Sequence, residues 1–171
     1  MANNCYYTMR AVSKDKNALD RLVKIMEYKD NEYYIYRCFS AEVYDRAEVE
    51  DFFVLLIDGD VAWSCDQWFN AEDEEVPNKD GNGAHLIRLD ALCKKLKIGM
   101  EVWSQEPGIG FEEHYIVNAD GKIIVNDCAD WCRIWEDEDG EELDQPEEEG
   151  GFYNYGSYAD PKVIYGRSRK L

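Results

Sequence analysis

The run DFFVLLI (51–57) constrains this chain more than any other segment. It is continuously apolar from Phe52 to Ile57 and has the length of a strand, not of a helix. A strand apolar at every position must bury both faces, so it belongs in the middle of a sheet with neighbours on either side. Asp58, Gly59 and Asp60 follow as a turn signal, and VAWS restarts an extended pattern.

Two helical stripes stand against that sheet. Ala18, Leu19, Leu22, Val23 and Met26 recur at helical spacing after Ser13, predicting a helix near 14–28. Leu89, Leu92, Cys93 and Leu96 predict a second near 84–97, with lysines toward its C-terminus, where the helix dipole favours cations. Strand-like segments lie at 3–12, 33–44, 100–105 and 111–117, and NADG (118–121) turns into a partner, KIIVND. Beyond Asp127 the pattern weakens to a short element holding Cys128 to Trp135, then an acidic segment and an aromatic tail. The expected fold class is therefore α+β. It is a ferredoxin-like split β-α-β plait with an antiparallel sheet, two helices on one face, an extra C-terminal hairpin and an acidic tail. The expected organisation is a domain over 1–130 and a C-terminal extension over 131–171 packed on or beside it. Leu22, Phe53, Leu55, Leu92 and Ile124 are the expected core.

Composition limits the function classes. The chain has 171 residues, 45% of them hydrophobic, enough for a core. The formal net charge of -18 repels nucleic acid and anionic membrane and favours basic partners. Neither a signal-peptide pattern nor a spanning apolar run is visible, which predicts a cytoplasmic protein. The six cysteines are scattered, as expected of reduced thiols. Cys128 and Cys132 alone are close; they read as buried small hydrophobes, since a zinc knuckle needs a second pair. No phosphate-binding or dinucleotide motif occurs, and no cofactor is expected.

Three segments together resemble a known family. NNCYYTMRAVS opens the chain ahead of a helix, AWSCDQWF (62–69) is Trp-rich, and EPGIGFEEHY (106–115) places an acidic-Pro-Gly turn before a strand. In these the chain is similar, over about residues 2–130, to the YubB ferredoxin-like domain family of plasmid- and phage-borne proteins. The resemblance implies a ferredoxin-like fold and a mobile-element origin. It implies no catalytic residues.

Several patterns invite chemistry. Glu106, Glu112 and His114 surround one turn and suggest acid–base work or a metal-dependent hydrolase, although Glu113 and His114 alternate across a strand and no nucleophile accompanies them. NKDGNG (78–83) begins like a calcium loop but lacks the acid at its twelfth position, as does WEDEDGEELDQP (135–146). Trp63 and Trp68 read as rings plugging a core edge. What remains is charge. The segment 136–149 holds ten carboxylates and no basic residue, and 47–53, 58–60 and 71–75 add more, which loops at one end of a plait would gather. Clustered carboxylates can imitate a phosphate backbone before a basic groove. The expected function is thus inhibition of a host nucleic-acid-binding defence nuclease by a DNA-mimicking surface. The class is an anti-CRISPR, and the partner an RNA-guided nuclease of the Cas9 type. The expected contacts are Trp135, Glu136, Asp137, Glu138, Asp139, Glu141, Glu142 and Tyr153. The alternatives are the hydrolase and a non-catalytic acidic adaptor.

Overall fold

The computed structural model describes residues 3–77, 83–137 and 139–166. Among the described residues, ten strands and three helices follow the order β1 (Asn4–Ser13), α1 (Lys16–Met26), β2 (Tyr33–Tyr34), β3 (Cys38–Val49), β4 (Phe52–Ala62), β5 (Glu75–Pro77), β6 (His85–Ile87), α2 (Leu89–Leu96), β7 (Ile98–Glu106), β8 (Phe111–Val117), β9 (Ile123–Glu136), β10 (Glu142–Gly150) and α3 (Pro161–Tyr165). A short 3₁₀ turn, Asp66–Trp68, follows β4. Seven strands form one curled sheet in the order β10-β9-β8-β7-β1-β4-β3, and every neighbouring pair is antiparallel. β2, β6 and β5 make a separate small sheet.

Alternation along the central strands builds two apolar layers. Cys5, Tyr7, Met9 and Ala11 of β1, Leu55 and Ile57 of β4, and Met100 and Val102 of β7 point to one face. There they meet Leu19, Leu22 and Ile25 of α1 and Leu89, Leu92 and Cys93 of α2. The intervening positions Val12, Phe52 and Val54 point the other way and pack with Ile164 of α3. The run 52–57 is apolar at every position because both of its faces are covered.

The expected two-helix plait is corrected by this arrangement. The chain is dominated by sheet, the sheet continues through the meander β7-β8-β9-β10, and a third helix covers the face opposite α1 and α2. The second helix is also shorter than its stripe. His85–Ile87 is a strand paired with Glu75–Pro77, and α2 begins only after Arg88, which is extended. Tertiary pairing wins over an apolar spacing that suits either structure. Asp58–Asp60 does not turn; β4 runs on to Ala62. Its glycine answers a close approach instead. A Cβ at Gly59 would lie 2.1 Å from the Ser40 carbonyl oxygen and 2.6 Å from the Tyr7 hydroxyl. Of the expected core, Leu22, Leu55 and Leu92 are buried, Phe53 is half-buried, and Ile124 is exposed at 47%. Trp68 is buried and donates Nε1–H to the Tyr36 carbonyl at 2.8 Å, whereas Trp63 is largely exposed.

The segment after Asp127 is the largest departure. It extends β9 as far as Glu136, and β10 returns beside it as the sheet edge. The expected boundary at residue 130 lies within β9. The chain then crosses the outer face of the sheet. Phe152 and Tyr155 pack on Trp103, Tyr158 hydrogen-bonds Thr8, and the Ala159 carbonyl accepts from Arg10 at 3.2 Å. No helix among the described residues is long and apolar enough to cross a membrane.

Candidate functional site

The acidic segment is an ordered two-stranded arm. Residues 123–150 carry twelve carboxylates and one basic residue, Arg133, which approaches Glu148 at 3.7 Å. Glu136, Asp137, Asp139, Glu141, Glu142, Asp144, Glu147, Glu148 and Glu149 are all exposed. The register places Glu142 directly opposite Glu136, a like-charge cross-strand pair that costs stability. The hairpin end is organised by Asp137. Its Oδ1 accepts from the amides of Asp139 at 3.0 Å and Glu141 at 2.8 Å, and its own amide donates to the Glu141 carbonyl at 2.9 Å. Gly140, at φ +82°, supplies the left-handed residue of that turn. Asp137 is therefore a structural residue as well as a charge. Trp135 is 52% exposed and Tyr153 fully exposed, while Glu138 lies outside the described residues.

Of the acids expected to gather with this arm, those of 47–53 do not border it in the sheet. β3 and β10 are opposite edges of the seven-stranded sheet, so 47–53 and 136–149 are apart in strand order. Some of those other acids have cations beside them. Lys162 pairs with Glu50, Lys14 with Asp51, Arg88 with Glu74, and Glu75 with both His85 and Lys95. His85 and Lys95 hold the Glu75 carboxyl below the usual range. Residues 78–82 of the calcium-like motif lie outside the described residues.

Glu106, Glu112 and His114 are not brought together. Alternation puts Glu106 on the face of Ser104, and Glu112 and His114 on the other. Each has a structural partner. Glu106 accepts from the Ile109 amide in the β7–β8 turn, and Glu112 accepts from the Phe152 amide at 2.7 Å. The His114 ring stacks on Trp103 with centroids 3.6 Å apart, and its Nε2 lies 2.8 Å from a carboxylate oxygen of buried Glu101. The other Glu101 oxygen accepts from the Ala159 amide at 2.6 Å. A cleft of about 390 Å³ lined by Tyr36, Asp66, Trp68, Leu86 and Arg88 includes none of the three.

Cys128 and Cys132 are exposed on β9, which corrects their expected burial. The cysteines that do converge are Cys5 of β1 and Cys65 of the turn after β4, beside Glu113 of β8. Burial pushes the Cys65 thiol well above its ordinary range, so it is held neutral. Cys5 and Cys65 are sixty positions apart in the chain, so no spacing motif could announce this cluster. No protein-family model, curated protein or solved structure matches the chain.

Proposed function

We propose that this chain is a non-catalytic acidic protein that docks its β9–β10 arm onto the basic nucleic-acid-binding surface of a partner and blocks it. The partner class proposed is an RNA-guided nuclease of the Cas9 type, making the protein an anti-CRISPR inhibitor. One observation carries the reading: twelve carboxylates against one arginine on the two strands of this arm. A strand repeats its side chains on one face every two residues, at about 6.8 Å. The arm therefore offers a ladder of fixed charge rather than a diffuse cloud. The exposed Trp135 adds an aromatic anchor at its end. The resemblance to the YubB family contributes a mobile-element origin to this proposal, not a fold.

The same charges guard β10, an edge strand, against pairing with another sheet. That purely protective role makes a different prediction. Glutamine and asparagine replacements at Glu136, Asp137, Glu138, Asp139, Glu141 and Glu142 keep the shapes and remove the charge. Binding to a panel of guide-loaded RNA-guided nucleases is measured with parent and variant, with target DNA as competitor. We expect parent binding that excludes DNA, and a loss of at least about tenfold in the variant, on the scale of a charge-pair network at an interface. Equal binding and inhibition by the variant would leave the arm as edge protection only.

A further inference from the structure

We propose that Cys5, Cys65 and Glu113 form a binding site for one zinc ion between the sheet and the helices. The two sulfurs and a Glu113 carboxylate oxygen all lie within 4.8 Å of one another, and the three residues are 0%, 0% and 3% exposed. Zinc bonds thiolate sulfur at about 2.3 Å and carboxylate oxygen at about 2.0–2.2 Å, so it draws such ligands to separations on the order of 4 Å.

An independent observation points to a cation. Glu113 is a buried carboxylate with only neutral donors. It accepts from the Ser64 hydroxyl at 2.5 Å, the Ser104 hydroxyl at 2.6 Å and the Cys65 amide at 2.9 Å. Among the described residues no lysine, arginine or histidine pairs with it. A buried charge without an opposite charge is costly. A carboxylate offers about four lone-pair sites, and three donors leave one for an ion. The same three hydrogen bonds fix the orientation of the carboxylate as a ligand.

The charges balance. Two thiols and one carboxylate meet the ion. When Zn²⁺ binds, two S–H bonds break, two Zn–S bonds and one Zn–O bond form, and two protons leave to solvent. The net charge of the buried cluster is the same before and after. Two thiolates with one carboxylate favour zinc over magnesium or calcium, which prefer all-oxygen shells. The site rests on a different part of the molecule from the acidic arm and does not depend on its function.

The test must separate this site from adventitious ions on an acidic surface. Co²⁺ replaces zinc as probe, in reduced full-length protein carrying Cys128→Ser and Cys132→Ser, which removes the exposed thiols. We expect a sulfur-to-cobalt charge-transfer band that saturates at one equivalent and is displaced by Zn²⁺. Adding Cys5→Ser should lower that band by about half, and Glu113→Gln should retain it while weakening affinity at least about tenfold, the lower end of the loss seen when a ligand-supporting group is removed. Cobalt binding without a sulfur band, or no binding, would overturn the proposal. Both outcomes are read on protein with all three ligands intact, so a misfolded Cys5→Ser variant does not remove the test.

Discussion

At Gly59 a missing methyl is a structural element. Tyr7 sits opposite Gly59 in the β1–β4 register, and its hydroxyl donates to the Ser40 carbonyl at 2.8 Å across the glycine. Gly59→Ala places a methyl on the Ser40 carbonyl and the Tyr7 ring at once. We expect a loss of about 1–3 kcal/mol, typical of overpacking, in urea denaturation. A change below about 0.5 kcal/mol would show that strand β3 moves aside freely. Asp30 makes a second residue-scale case. Burial alone pushes its carboxyl upward, but the Arg21 guanidinium and the amides of Glu32 and Tyr33 outweigh it, and the net shift is downward. Its folded pKa lies below the unfolded value of about 3.9. The stabilisation is therefore complete above about pH 4 and is lost as pH falls through the folded value. Relative to Asp30→Asn, the parent should lose stability over that acidic window and hold a constant difference from pH 5 to 7. A difference that stays flat through pH 3 would dismiss the ion pair as a source of stability.

Among the elements, the β9–β10 arm shows charge placed against stability. Glu136 faces Glu142 across the ladder, and among the described residues no cation pairs with either. Glu142→Lys converts a repulsive cross-strand pair into an attractive one. We expect a gain of about 0.2–1 kcal/mol in thermal or urea unfolding, together with weaker binding to the proposed partner. A loss of stability would mean that the two carboxylates point apart and that the register penalty is absent. Stability and function moving in opposite directions is the signature of residues kept for binding. The arm also explains why its elements were hard to read. Strand β10 is ELDQPEEEG, poor in strand formers, with a register shift between Glu142 and Glu147. It is a strand because β9 offers an edge, not because its own residues prefer extension.

For the whole molecule, a net charge of -18 on 171 residues works against compaction. Added salt should act in two opposite senses. The Debye length falls from about 30 Å at 0.01 M to about 10 Å at 0.1 M, which relieves self-repulsion. The melting temperature should therefore rise with sodium chloride, by about 2–4 °C for each 1 kcal/mol relieved in a chain of this size. The association rate with the proposed basic partner should fall over the same range. A melting temperature that drops with salt would indicate that the ion pairs of Arg21, Arg46 and Lys162, and not the repulsion, dominate the surface.

Local chemistry alone determined much of the central sheet and of the first helix. The run 52–57 had to be a strand covered on both faces, and Leu19 and Leu22 had to face a core, because periodicity follows from backbone geometry within one element. The ten acids of 136–149 were equally plain as charge. Only the tertiary structure decided the rest. Pairing with β5 turned His85–Ile87 into strand, β9 drew the acidic segment into an edge strand, and α3 closed the second face of the sheet. It also brought Cys5, Cys65 and Glu113 together from β1, the turn after β4 and β8. These outcomes depend on which segments meet across long sequence separations, and no single segment carries that information in its own period or charge.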